Sequence, residues 1–115
     1  MADWWQWSPK KEEEALTFAV VGVGRFGTAV CRELINNGAD VLAADYSEKA
    51  IDDLRQLEPS IEARVIDCTD EESMKESGIL EMNTVVVGIS EPIEASITTT
   101  LMAKDSEGSK VKRVI

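Results

Sequence analysis

From residue 17 onward the chain alternates between short apolar, β-branched runs and longer stretches with one apolar face. The runs fall at 17–23, 40–45, 61–66, 83–89 and 111–115, and the helical stretches at 25–37, 48–57, 70–78 and 92–104. The runs lack strict polar alternation, which is the pattern of strands covered on both faces of a sheet. Strands alternating with helices of this length imply right-handed βαβ crossovers. The expected architecture is therefore α/β, a doubly wound, Rossmann-like parallel sheet with strand order 3-2-1-4-5. The chain reaches Ile115 inside the fifth run, so the pattern reads as a C-terminally truncated domain, or one whose last element another subunit supplies.

Each helical stretch carries a stripe expected to face the core: Phe26, Val30 and Leu34; Ile51 and Leu54; Ile93, Ile97 and Leu101. These stripes also suit subunit packing. Gly38 and Gly78 stand where helices should stop, because glycine tolerates the left-handed conformation there. Thr69 followed by Glu72 fits a capping box, and Pro92 fits the first turn of a helix.

Residues 1–15 differ from the remainder, dividing the chain into a leader and a domain over 16–115. All three tryptophans, Trp4, Trp5 and Trp7, lie in this leader, followed by Pro9, two lysines and three glutamates. It reads either as a flexible leader or as a docking segment, since clustered tryptophan favours interfaces. The sequence leaves both open.

With 115 residues, 43% of them apolar, the chain can build one real core but not two. Its net charge of −10 argues against a nucleic-acid partner, which would need clustered Lys and Arg. The acidic triplets at 12–14 and 70–72 read as solvated surface. There is no histidine, and Cys31 and Cys68 lack ligand spacing, which argues against a zinc site and a histidine base. Unpaired cysteines and the absence of a signal-peptide core or a long apolar run fit a cytosolic domain.

The chemistry concentrates after the first run. Gly22-Val23-Gly24-Arg25-Phe26-Gly27 matches G-x-G-x-x-G between a strand and a helix. Gly22 permits the turn, Gly24 lets backbone approach a pyrophosphate, and Gly27 lets the helix pack closely. The phosphate would face the helix N-terminus. Asp45, at the end of the second run, can accept the hydroxyls of a ribose and would repel a 2′-phosphate, so NADP is disfavoured. Arg25 is the only cation in the loop, and its fork can clamp a terminal phosphate and so distinguish triphosphate from diphosphate. Asp67 and Cys68 follow the third run, where adenine would lie. Ser90 and Glu91 follow the fourth, near sugar or phosphates. Tyr46 is the sole tyrosine and falls in the ribose region. No nucleophile–base pair or Tyr–Lys dyad is visible, so no enzyme activity is expected.

Together, Phe18-Ala-Val-Val-Gly-Val-Gly-Arg-Phe-Gly27, Val41-Leu-Ala-Ala-Asp45, Asp67-Cys-Thr-Asp-Glu71 and the segment from Val85 to Ser96 resemble the nucleotide-binding RCK or KTN domain (TrkA-N) of Trk/Ktr potassium uptake regulators. The resemblance runs from about Thr17 to Ile115. It implies a cytoplasmic gating subunit, peripheral to the inner face of the membrane, that forms a homodimer or larger ring beneath a membrane-embedded potassium transporter. It implies binding of ATP, ADP or NAD(H), with a bridging divalent cation possible, and allosteric control of the pore. Carried over residue by residue, Gly22, Gly24, Arg25, Phe26 and Gly27 would form the phosphate loop. Asp45 would hold ribose, Asp67 and Cys68 would border adenine, and Ser90 and Glu91 would close the far side. The chain lacks the family's second, C-terminal subdomain, and the tryptophan-rich leader has no counterpart in the family pattern. The alternatives are the cofactor-binding half of an NAD-dependent oxidoreductase, and a binding fold retained only as an oligomerisation module.

Overall fold

In the computed structural model, residues 17–89, 93–105 and 108–115 are described. Five parallel strands form one sheet in the order β3-β2-β1-β4-β5. Central β1 (Thr17–Val21) pairs with β2 (Asp40–Asp45), Thr17 opposite Asp40, and with β4 (Thr84–Val87), Phe18 opposite Thr84. The edges are β3 (Glu62–Val65) and the two-residue β5 (Arg113–Val114). Helices α1 (Arg25–Asn36), α2 (Glu48–Leu57), α3 (Glu71–Ser77) and α4 (Ile93–Asp105) complete the fold, with a 3₁₀ turn at Ile79–Glu81. The expected α/β sheet and its 3-2-1-4-5 order are present.

Successive residues of β1 point into different cores, which explains the missing polar alternation. Phe18 and Val20 join Cys31 and Leu34 of α1 and Ile51 and Leu54 of α2. Ala19 and Val21 join Met74 of α3, Ile79 and Ala103 of α4 on the other face. No helix among the described residues is long and apolar enough to cross a membrane.

Three expectations need correction. Phe26 is 60% exposed; α1 instead buries Gly27, Cys31 and Leu34, because its close approach at Gly27 turns Phe26 outward. Ile97 and Leu101 are likewise exposed, and α4 buries Thr99 and Ala103. These small residues bring the helix close to the sheet, and the Thr99 hydroxyl, fully buried, donates to the carbonyl of Cys68 at 3.0 Å, as a buried hydroxyl must. The third concerns α3, whose N-cap is Asp70 rather than Thr69. Its carboxylate accepts from the Ser73 N–H at 3.0 Å, so Asp70 is more than a solvated charge.

Other helix signals hold. Gly38 and Gly78 have φ of 84° and 95°, in the left-handed region. Ser47 caps α2 by accepting from the Ala50 N–H. Pro92 and the leader lie outside the described residues.

Candidate functional site

The C-terminal ends of the strands surround a cavity of about 580 Å³, open between β1 and β4 where successive crossovers switch faces of the sheet. Doubly wound sheets bind ligands at this switch point. β1 and β4 stop at Val21 and Val87, shorter than their apolar runs. The residues that follow leave the sheet and shape the cavity.

Gly22 turns the chain at φ 93°. A Cβ on it would lie 2.8 Å from the carbonyl carbon of Gly88 and 2.8 Å from the backbone N of Ile89. A Cβ on Gly27 would overlap the Gly22 carbonyl oxygen, 1.8 Å away. Gly24 faces open space. The glycines thus divide their work: Gly22 and Gly27 permit backbone-to-backbone packing, while Gly24 leaves room beside the cavity for a ligand.

Gly24 is the N-cap of α1 and offers no side-chain acceptor, and the helix has no acid in its first turn. The opening N–H groups of α1 therefore lack a capping side chain, at the positive end of the helix dipole. Arg25 is exposed there. The loop is held from below by the Thr28 hydroxyl, which donates to the carbonyl of Val23 at 2.9 Å.

Asp45 anchors the opposite wall. One carboxylate oxygen accepts from the Val23 N–H at 2.7 Å and the other from the Ser47 N–H at 2.7 Å. Each oxygen keeps a second lone pair, so acceptor capacity for ligand hydroxyls remains. Tyr46 is 78% exposed at the mouth. Asp67 is held below the usual carboxylate range by hydrogen bonds from the hydroxyl and N–H of Thr69, both to one of its oxygens. Burial, then the charges of Asp45 and Asp67, push the Cys68 thiol up to about 12; a neutral thiol of this kind is a wall, not a nucleophile.

The cavity is therefore electrically divided. Its α1 end presents Gly22 and Gly24 at the uncapped start of α1, suited to phosphate, with Arg25 exposed beside it. Its β2–β3 end presents Asp45 and Asp67, suited to hydroxyl and amino donors. Among the described residues, no cluster of three or more His, Cys, Asp or Glu could hold a metal ion.

Of the residues picked out in the sequence, Gly22, Gly24, Asp45, Tyr46, Asp67 and Cys68 line this one cavity. Gly27 lies beneath the loop as packing. Arg25 and Phe26 stand outside the lining, and the Phe26 ring would sit 3.3 Å from a Cβ on Gly88. Ser90 and Glu91 fall outside the described residues. Sequence reasoning missed Ser47, Thr69, Gly88, Ile89 and Ala95, which also line it. Gly88, the glycine ending an apolar strand, was the available signal.

Comparison with known proteins agrees with this geometry. The model of the TrkA-N domain family matches residues 18–115. The Ktr system potassium uptake protein C of Bacillus subtilis (strain 168) is 39% identical over 88 residues, 76% of this chain and 39% of that protein. The chain thus spans about two fifths of that relative's length. The TrkA-N domain of the Escherichia coli inner membrane protein ybaL superposes with a TM-score of 0.68 at 17% identity, over 90% of this chain and 88% of that one. The NAD(P)-binding domain of an exopolyphosphatase-related protein from Archaeoglobus fulgidus gives 0.67 at 21% identity, covering 85% of each. At these identities the structural likeness bears on the fold.

Proposed function

Given that this chain belongs to the TrkA-N domain family, we propose that it is the nucleotide-sensing regulatory domain of a potassium uptake system. The observation that carries the reading is the convergence of the glycine loop, the uncapped start of α1 and Asp45 on one cavity. The ligand is ATP, ADP or NAD(H): phosphates lie along Gly24 and the α1 amides, Arg25 meets the terminal phosphate, and Asp45 takes the ribose. Tyr46 lies in the ribose region, and Asp67 and Cys68 border the base. A divalent cation, where present, would bridge the phosphates.

The potassium assignment is supported by the relatives named as Ktr potassium uptake proteins. The names of those relatives point to potassium uptake rather than to a reaction, and the proposed role is regulation without catalysis. On this reading the domain assembles as a dimer or ring against a membrane-embedded transporter, on its cytoplasmic side. A ligand bound unequally by two assembly states shifts their populations, and the assembly passes that shift to the pore.

Thermal unfolding with ATP, ADP, NAD, NADH and NADPH at matched concentrations tests the binding. Ligand at ~100 times Kd stabilises the folded chain by roughly 2.7 kcal/mol. Stabilisation by ATP, ADP or NAD(H), with little by NADPH, is expected. Equal stabilisation by NADPH removes the role given to Asp45, and no response to any nucleotide removes the proposal.

A further inference from the structure

A second concavity, of about 660 Å³, lies at the other end of the sheet, where β1, β2 and β3 begin. Its lining includes Ile35, Val41, Ile61 and Met82, all half-buried. Two exposed acids, Asp40 and Glu62, stand on its polar part, and Glu62 also pairs with Arg64 at 3.1 Å. The nucleotide reading uses none of these residues.

Thr17 is itself part of the lining. It is fixed there by β1 and by Asn83, whose N–H donates to the Thr17 hydroxyl at 3.0 Å. The segment containing Trp4, Trp5 and Trp7 joins the domain at this residue. Trp7 precedes Thr17 by ten residues, a stretch that spans at most about 33–36 Å when extended and returns readily to a groove that begins where it is anchored. Lys10 and Lys11, next to the tryptophans, are followed by Glu12–Glu14 toward the anchor, so the apolar lining and the tether, not charge, favour docking. Tryptophan gains more from apolar burial than almost any other side chain.

We propose that this groove is the docking site of the chain's own tryptophan segment, Trp4-Trp5-Gln6-Trp7. Tethering is what fills it. A short linker gives an effective concentration on the order of 1 mM, so a contact with Kd of roughly 0.1 mM is about nine-tenths occupied. The consequence is a structural role for a segment that the nucleotide chemistry does not use.

The test is direct because every tryptophan lies in this segment, so indole emission reports on nothing else. In the intact chain, emission should be blue-shifted from that of the urea-unfolded chain and unchanged across a hundredfold dilution. Ser60→Arg, at an exposed residue of the groove, and Ala39→Arg, deeper in it, should each return the emission to the unfolded position. Acrylamide quenching should rise at least about twofold as the ~1 mM tether no longer holds the contact. Far-UV circular dichroism identifies any variant that has unfolded, and Ser60→Arg carries the test if Ala39→Arg does so. Emission already at the unfolded position overturns the proposal. So does a blue shift that survives folded Ser60→Arg, or one that is lost on dilution, which would assign the groove to a second copy.

Discussion

The carboxylate of Asp45 accepts a hydrogen bond from the backbone N–H of Val23 at 2.7 Å, joining the end of β2 to the middle of the glycine loop. Val23 is 2% exposed, so its N–H relies on this acceptor. The residue read as a ribose ligand is thus also the strut that sets the loop's height.

Asp45→Ala should therefore cost stability as well as ligand. A buried donor left unsatisfied costs about 1–3 kcal/mol, visible as a lower midpoint in urea unfolding of the nucleotide-free protein. An unchanged midpoint, with binding alone impaired, would show that the strut carries no load in solution.

Gly24 and Gly27, three residues apart, should fail in opposite ways. Gly24→Ala meets open space and should leave stability within about 0.5 kcal/mol, while nucleotide affinity falls because the methyl occupies phosphate space. Gly27→Ala places a carbon 1.8 Å from a backbone oxygen. Its cost should reach or exceed the upper end of the roughly 1–3 kcal/mol typical of overpacking. Parallel denaturation and calorimetric titration separate the two outcomes.

Arg25→Ala should weaken ATP by about tenfold or more, the lower range for a hydrogen bond to a charged group of about 1.5–3 kcal/mol. ADP should be affected much less. Arg25 is exposed, so the change should leave the unfolding midpoint nearly unmoved. Equal losses for the two nucleotides would refute the terminal-phosphate role.

Burial pushes both thiols up to about 12, with Glu58 adding to the effect at Cys31 and Asp45 and Asp67 at Cys68. Because the folded values lie above the ordinary 9.0, the stabilisation is full below about pH 9 and is lost as pH rises toward about 12. Unfolding midpoints should fall across that window. At pH 8, iodoacetamide should leave the folded protein unlabelled and modify both cysteines in urea. Rapid labelling of the native protein would contradict the burial of Cys31 and Cys68.

The fold was legible because its signals are redundant. Five apolar runs, four helical stretches and the glycine turn all point to one parallel sheet. Phe26, Ile97 and Leu101 were misread for a single reason. Periodicity finds an apolar stripe, but a helix turns toward the sheet whichever face allows the closer approach, and Gly27, Thr99 and Ala103 are small. Within the site, Asp45 and the glycines stood out by spacing. Its tie to Val23 did not, because nothing in a sequence marks a hydrogen bond to backbone 22 positions away. The cap falls on Asp70 rather than Thr69 because α3 begins at Glu71, where the Asp70 carboxylate accepts from the Ser73 N–H.

Where Gly22, Gly27 and Gly88 meet, the closest approaches are main chain to main chain. Elsewhere in the protein an enlarged side chain can be offset by a smaller neighbour. At this junction the nearest atom to a Cβ on Gly27 is the backbone carbonyl oxygen of Gly22, so trimming the neighbouring Ile89 or Phe26 side chain makes no room for it. Substitutions at Tyr46, Thr69 and Ala95 can reshape the cavity walls, while the crossing of these three backbones stays as it is.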